Sequence, residues 1–181
     1  MLLRDLKKTN SANNGTRSLL ESILSSEVAQ AVSDWKQYAS HQGVLIGGLA
    51  LSYYVKPRYT SDGDFLYLTP SDVPIDVEKF KRTRNGAFQH NKTHVEIEVL
   101  SPSSINMSNE LATQIFNTAI VRDGFKIASR EGLIAAKLDR FKLQDRADIS
   151  NLLQLGPVNL DDFPLTSKQK QNLKLALAEV E

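Results

Sequence analysis

The order of predicted elements favours an α+β fold, in which a run of short strands lies between helices at the two ends of the chain. Apolar residues recur at helical spacing over residues 18–39, and "HVEIEVL" at 94–100 alternates polar and apolar residues as a half-buried strand does. After residue 129 the pattern is helical again. With 181 residues, 41% of them hydrophobic, we expect one domain, or one domain with a small helical appendage.

The first half of the chain predicts a long helix and two strands. A polar loop at 10–16 precedes the helix, whose start is marked by Ser18 and Glu21 at capping-box spacing. "GVLIGG" at 43–48 predicts a short buried strand that ends in two glycines, and "LALSYYV" predicts a short helix after it. "DFLYLT" at 64–69 predicts the second strand.

The second half predicts a hairpin, the alternating strand and a group of helices. Asn85-Gly86 is a strong hairpin signal, with strands expected on both sides. The alternating strand follows, and the stretch from its end to Ile127 shows no clear pattern. Helices are then predicted at 129–141, 144–155 and 166–181, the last with Thr166 and Gln169 at capping-box spacing. These patterns divide the chain into a core with N-terminal helices, 1–128, and a C-terminal helical part packed on it, 129–181.

Composition excludes several classes of protein. Cysteine is absent, so a disulfide framework, a thiol nucleophile and a Cys-type zinc site are excluded, and a reducing, cytoplasmic location is expected. The charged N-terminus "MLLRDLKKTN" is not typical of a secretory signal. No apolar run approaches the roughly 18 residues of a membrane span, so we expect no membrane partner. The net charge of +1 gives no global signature of nucleic-acid binding.

Carboxylates occupy matching positions in two predicted strands. In an extended segment Asp62 and Asp64 leave the same face, with Cα atoms roughly 6.5–7 Å apart, and Glu96 and Glu98 repeat this spacing. If the two strands pair, the carboxylates repel one another, and one or two Mg²⁺ ions would offset the repulsion. Glu96 is interpreted as a solvated or salt-bridged strand residue, because Glu98 alone suffices as the third carboxylate of the site. "TSDGD" alone is typical of a solvated turn, but the whole set of motifs favours the metal site.

The glycine pair predicts a phosphate site. Gly47 and Gly48 follow the buried strand and precede a short helix. Backbone N–H groups at such a position bind phosphate, and glycine lets the phosphate approach the main chain closely. Lys137 ends the apolar run "LIAA" of a predicted helix. It is placed either to reach a triphosphate as a point charge or to lie in solvent, as most helical lysines do.

Together these motifs resemble the signature of the DNA polymerase β-like nucleotidyltransferase superfamily. Within it, the form Arg58-x-Thr60-x-Asp62-x-Asp64 resembles that of the AbiEii-type toxins and related small prokaryotic nucleotidyltransferases. The matching residues are Gly47, Gly48, Arg58, Thr60, Asp62, Asp64, Glu98, Lys137, Arg140, Asp145 and Asp148. The resemblance spans roughly residues 43–155. Gly63 stands where the family usually has an apolar residue, and Glu98 where it usually has Asp.

The resemblance implies the nucleotidyltransferase fold, a twisted mixed sheet flanked by helices. It also implies a two-ion Mg²⁺ site, an NTP such as ATP as substrate, and transfer of a nucleoside monophosphate to a hydroxyl. The implied metal ligands and catalytic residues are Asp62, Asp64 and Glu98. The implied triphosphate-binding residues are Gly47, Gly48, Arg58, Thr60 and Lys137. From the residues alone, Arg58 is alternatively a counter-ion of the aspartates, and Thr60 alternatively orders the start of the strand.

The acceptor implied by the resemblance is RNA, with tRNA suggested by the toxin relatives, or a protein hydroxyl. The same resemblance implies a toxin of a toxin–antitoxin or abortive-infection system, with a cognate antitoxin as partner. Two alternatives stay open: a degenerate member that binds nucleotide or a partner without turnover, and a scaffold whose acidic edge is merely solvated.

The remaining charged residues are interpreted separately from the metal and phosphate sites. A basic cluster around the Asn-Gly turn predicts either a contact to RNA phosphates or a charge-protected edge strand. It comprises Lys79, Lys81, Arg82 and Arg84. His94 is expected at the rim of the acidic face. Asp145 and Asp148 are interpreted as helix-end partners of two arginines, Arg140 and Arg146.

Overall fold

The computed structural model describes residues 26–39, 42–56, 60–73 and 78–180. Within them the chain has an α+β fold, in which helices flank a mixed, open, seven-stranded sheet. The strands are β1 (Gly43–Ile46), β2 (Asp62–Tyr67), β3 (Phe80–Arg82), β4 (Phe88–His90), β5 (Glu96–Leu100), β6 (Ile120–Arg122) and β7 (Phe125–Ile127). The helices are α1 (Ser26–Ala39), α2 (Gly47–Leu51), α3 (Asn109–Asn117), α4 (Arg130–Lys137), α5 (Leu143–Leu153) and α6 (Ser167–Ala178). The predicted loop at 10–16 and the first part of the predicted first helix lie outside the described residues.

The sheet order is β3-β4-β5-β2-β1-β7-β6. Central strand β2 pairs with β1 in antiparallel fashion and with β5 in parallel fashion. The parallel register sets Asp62 opposite Glu96 and Asp64 opposite Glu98. The two acidic strands of the sequence are therefore direct neighbours in the sheet.

The two faces of β2 have different surroundings. On one face the rings of Phe65 and of Trp35 in α1 lie 6.3 Å apart, centroid to centroid. A Cβ at Gly63 would also meet Val32 of α1 on this face. Because side chains alternate along a strand, Asp62 and Asp64 leave the opposite face. The apolar core under α1 and the acidic face thus lie on opposite sides of the same strand.

One hairpin was predicted and a second hairpin was missed. Asn85-Gly86 turns β3 into β4 as expected. A tighter turn at Asp123-Gly124 joins β6 to β7, and both of its residues have positive φ (49° and 79°), as a two-residue type I′ turn requires. The missed region also contains α3, whose first turn is capped by the Ser108 hydroxyl. The stretch after β5 therefore has regular structure that its pattern did not reveal.

The predicted helix at 129–141 is shorter in the structure. It begins as predicted, because Ser129 Oγ accepts a hydrogen bond from the Gly132 N–H at 3.0 Å. It ends at Lys137, and the chain turns through Phe141 in a left-handed conformation (φ 45°). Helix α5 then restarts at Leu143. The last helix begins with the predicted capping box.

The C-terminal helices lie against the rest of the fold. Helix α4 contacts α2 and α3, α5 contacts α4, and α6 contacts α5. The division of the chain at residue 128 stays a prediction. Among the described helices, none combines the length and apolar character needed to cross a membrane.

Candidate active site

Three carboxylates meet on the acidic face of β2 and β5. One oxygen from each of Asp62, Asp64 and Glu98 lies within 4.8 Å of the other two. The arrangement follows from the parallel register, which sets Asp64 beside Glu98, and from the two-residue period of the strand. Glu96 is exposed and lies outside this group.

The cluster is electrostatically unfavourable without a cation. Burial raises the pKa of Asp64 from 3.8 to about 7, and the charges of Asp62 and Glu98 add to the rise. The charges of Lys137 and Arg140 oppose it. The Asp64 carboxyl group therefore loses its proton less readily than a free carboxyl. Three carboxylate oxygens at this spacing match the hard oxygen ligands that Mg²⁺ prefers. The residues present therefore fit a divalent metal.

Thr60 positions the first of these carboxylates. Its Oγ1 lies 3.0 Å from Asp62 Oδ1 and 3.3 Å from the Asp62 carbonyl oxygen. The hydroxyl therefore donates to Asp62, in keeping with the interpretation that Thr60 orders the start of the strand. Arg58, the other residue of this motif, lies outside the described residues.

Gly47 contacts the carboxylate cluster directly. It follows Ile46, which pairs with Asp64 across β1 and β2. Its φ of +70° favours glycine, and a Cβ at this position would overlap the Asp64 carboxylate. Gly48 is buried within α2. The glycine pair thus lies beside the acidic residues, with Gly47 against them.

A cavity of about 340 Å³ opens over the cluster. Asp64, Glu98 and Gly47 form one side of it, and Lys137 and Arg140 of the α4 end form another. The remaining wall is largely apolar and comes mainly from the segment between β5 and α3 and from α4, with single residues from other elements, among them β1 and α6. It comprises Ile46, Leu100, Ser104, Ile105, Asn106, Met107, Leu111, Leu133, Ala136, Asp139 and Gln169. The cavity thus combines carboxylates, cations and an apolar surface.

Lys137 lies in a buried ionic cluster beside the cavity. Its side chain is only 8% exposed, and its Nζ donates to Asp148 Oδ2 at 2.7 Å and lies 3.7 Å from Asp145 Oδ1. Both aspartates are buried, so the ammonium group offsets their charge. Lys137 is therefore not the solvated helical lysine of the simpler reading.

The arginines of this region pair differently from one another. Arg140 donates to Asp145 at 2.9 Å, which confirms the predicted pairing. Arg146 instead contacts Glu179 in the turn after α6, so its predicted role as partner of Asp145 or Asp148 is wrong. The reason is that Asp145 and Asp148 are buried towards α4, whereas Arg146 is partly exposed next to the C-terminal helix.

The departure from the family pattern at Gly63 does not disturb the acidic face. A Cβ at Gly63 would lie 3.1 Å from Ile97 Cδ1 and 3.5 Å from Val32 Cγ2, on the face covered by α1. Strand β2 continues through this position, with Gly63 opposite Ile97 in the register. The missing side chain therefore leaves room for α1 packing.

The basic cluster lies away from the cavity, on edge strand β3 and the turn after it. Lys79 Nζ donates to Asp34 Oδ1 of α1 at 2.5 Å, and the Arg82 guanidinium lies 5.5 Å from the centre of the Phe88 ring. The exposed members of the cluster are Lys79, Lys81, Arg82 and Arg84. An RNA contact by these residues stays a prediction. His94 is exposed and does not line the cavity.

Two parts of the cavity were not predicted as site residues. One is the 104–107 segment, where Asn106 has a left-handed conformation (φ 54°) and Met107 adds apolar surface. The other is Gln169, whose capping-box spacing was recognised but whose position in the cavity was not.

No protein-family model matches this chain, and no curated protein matches it significantly.

Proposed function

We propose that the protein is a divalent-metal-dependent nucleotidyltransferase with a nucleotidyltransferase fold, which transfers a nucleoside monophosphate from an NTP to a hydroxyl. The observation that carries the proposal is the convergence of Asp62, Asp64 and Glu98, of which Asp64 and Glu98 line a cavity together with Gly47 and cationic side chains. A solvated acidic turn would account for neither the half-buried position of Asp64 nor the cavity beside it.

The metal would be held by the three carboxylates. Mg²⁺ bound there supplies stabilisation of the charge on the attacking and leaving oxygens of an in-line displacement. Thr60 fixes the orientation of Asp62 through its hydroxyl. Glu98 is the most exposed of the three and is the residue best placed to accept the proton of an acceptor hydroxyl.

The triphosphate would lie between Gly47 and the end of α4. Gly47 lines this cavity beside the Asp64 carboxylate that its missing side chain accommodates, and Lys137 and Arg140 contribute positive charge to the same cavity. Asp148 holds the Lys137 ammonium in place at the edge of the cavity by accepting its hydrogen bond. In the reaction the acceptor oxygen bonds to the α-phosphorus, the bond between that phosphorus and the bridging oxygen breaks, and pyrophosphate leaves.

The acceptor class follows from the resemblance of the motifs. We propose RNA, with tRNA as the first candidate, or a protein hydroxyl, and a role as the toxin of a toxin–antitoxin system in the cytoplasm. A cognate antitoxin would then be the protein partner.

The direct test is nucleotide labelling. Purified protein is incubated with Mg²⁺ and each of the α-³²P-labelled NTPs, together with total RNA and a protein extract. We expect label in one macromolecular fraction, its loss with EDTA, and its loss in Asp62→Ala and Asp64→Ala. Glu96→Gln is the matched control, because Glu96 lies opposite Asp62 in the register but outside the carboxylate group, and it should keep activity. Labelling that survives both aspartate substitutions would refute the proposal.

A further inference from the structure

The C-terminal helix places one buried amide in the cavity over the carboxylates. Gln169 is only 4% exposed, and it lines the same cavity as Asp64 and Glu98. Nothing in the metal site or in the proposed phosphate site uses this residue. A polar side chain that is buried at a cavity wall requires a partner for each of its polar atoms.

The oxygen of this amide is already bound. Gln169 Oε1 accepts the Thr166 N–H at 2.8 Å and lies 3.1 Å from Thr166 Oγ1, which completes the capping box of α6. Because a backbone N–H donates only, the oxygen of the amide must face Thr166, and this fixes which end is nitrogen.

The nitrogen of the amide is the end that faces open space. Gln169 Nε2 has no hydrogen-bond partner among the residues that the structure describes. The atom nevertheless keeps some accessible surface, unlike the fully buried unpaired atoms Trp35 Nε1 and Tyr67 Oη. Gln169 is buried and lines the cavity, so we take the cavity as the space that Nε2 meets. Two N–H donors are therefore available to a ligand there.

The position of this donor is fixed by its neighbours on α6. Lys168 Nζ donates to the Asp139 carbonyl at 2.8 Å, and Asn172 Nδ2 donates to the Leu138 carbonyl at 2.8 Å. Gln169 is therefore held beside the end of α4, the helix that carries Lys137 into the same cavity. Helix α6 is thus a wall of the site as well as a covering for α5.

We propose that Gln169 Nε2 donates a hydrogen bond to an acceptor oxygen of the bound nucleotide, which makes the C-terminal helix part of the nucleotide site. The inference rests on the proposed function, since it takes the cavity to be the NTP site. The acceptor is either a carbonyl oxygen of the base, against the apolar wall that includes Met107, or a phosphate oxygen near Lys137. Both are oxygens that accept an N–H hydrogen bond. Only the carbonyl oxygen differs from one base to another, whereas the phosphate oxygens are the same in all four NTPs.

The test compares two variants that each remove one half of the helix cap. Gln169→Leu removes the donor together with one half of the capping box, whereas Thr166→Val removes the other half and keeps the amide. The melting temperatures of both variants measure how much stability each half of the cap contributes, and binding is measured well below both of them. The dissociation constants of the four NTPs, as non-hydrolysable analogues with Mg²⁺, are then measured by calorimetry.

We expect Gln169→Leu to weaken binding about 3- to 10-fold, the range for one hydrogen bond, and Thr166→Val to change it less than about 2-fold. Weakening confined to some of the NTPs assigns the acceptor to the base, and equal weakening for all four and for tripolyphosphate assigns it to phosphate. Wild-type affinity in Gln169→Leu, or equal weakening in both variants, overturns the inference and leaves the proposed function standing. Absence of NTP binding by the wild type would overturn both.

Discussion

Replacing Asp64 with Asn should stabilise the metal-free protein at about pH 8. Burial, together with the charges of Asp62 and Glu98, raises the pKa of this carboxyl from 3.8 to about 7. Between these two values the unfolded chain has lost the proton and the folded chain keeps it, so stability falls as the pH rises. Below about pH 4 both states are protonated and the effect disappears. Asn has nearly the same shape and no charge, so it escapes this loss.

The magnitude follows from the size of the pKa rise. A rise from 3.8 to about 7 corresponds to about 4 kcal/mol, at about 1.4 kcal/mol for each pH unit. For a chain of this length, 1 kcal/mol shifts the melting temperature by roughly 2–4 °C. At about pH 8 the melting temperature of the variant should therefore lie roughly 8–16 °C above that of the wild type. At about pH 4 the two melting temperatures should be nearly the same.

The assay is thermal unfolding followed by circular dichroism between about pH 4 and 8, in EDTA and then in Mg²⁺. Glu96→Gln serves as the control, since it removes an exposed charge from β5 outside the carboxylate group, and it should shift the melting temperature little. Mg²⁺ should raise the melting temperature of the wild type at about pH 8 and leave that of Asp64→Asn unchanged. The reasoning fails if Asp64→Asn melts at or below the wild type at about pH 8 in EDTA.

Two further substitutions test the surroundings of the carboxylates. Gly47→Ala should destabilise the fold and weaken Mg²⁺ binding, because its Cβ would overlap Asp64. The control Gly86→Ala also has positive φ but has open space around its Cβ, so it should cost only about 1 kcal/mol in urea unfolding. Equal costs for the two variants would contradict the close contact between Gly47 and Asp64. Lys137→Met should cost about 3–5 kcal/mol in urea unfolding, because it leaves Asp145 and Asp148 buried without their ammonium partner. A loss below about 1 kcal/mol would contradict the claim that the Lys137 ammonium offsets the buried charge of Asp148, and would leave Arg140 as the main counter-charge of Asp145.

The carboxylate cluster was predictable because its geometry depends mainly on local spacing. Two residues separated by one position share a strand face whatever the fold, so Asp62 with Asp64 could be placed from the sequence. Which partner strand supplies the third carboxylate depends on the register, and the parallel pairing of Asp64 with Glu98 is a tertiary feature. The motif resemblance connected the two segments before the register was known.

The region between β5 and α4 was not predictable in the same way. Strands β6 and β7 have three residues each, too few to show alternation, and Val121 in β6 is 66% exposed. The signal that could have found them is Asp123-Gly124, the same kind of turn dipeptide as Asn85-Gly86. Helix α3 has an apolar side, with Leu111 and other residues buried, and it depends on packing against α4.

The roles of side chains on the C-terminal helices depended on how those helices pack. The capping box placed Gln169 in the first turn of α6, but only the contact of α6 with the end of α4 shows what its amide faces. In the same way, the sequence offered Arg140 and Arg146 as partners for the aspartates of α5. The structure brings Lys137 to Asp148 because α4 ends early and α5 folds back against it.

The most direct measurement of the central claim is titration of the protein with Mn²⁺ in place of Mg²⁺, followed by electron paramagnetic resonance, with and without a non-hydrolysable NTP analogue. If the three carboxylates form a metal site, the wild type should bind Mn²⁺, more tightly with the nucleotide present, and Asp64→Asn and Glu98→Gln should each lose that binding while Glu96→Gln keeps it. Free Mn²⁺ signals that are the same with the wild type and with Asp64→Asn would contradict the claim.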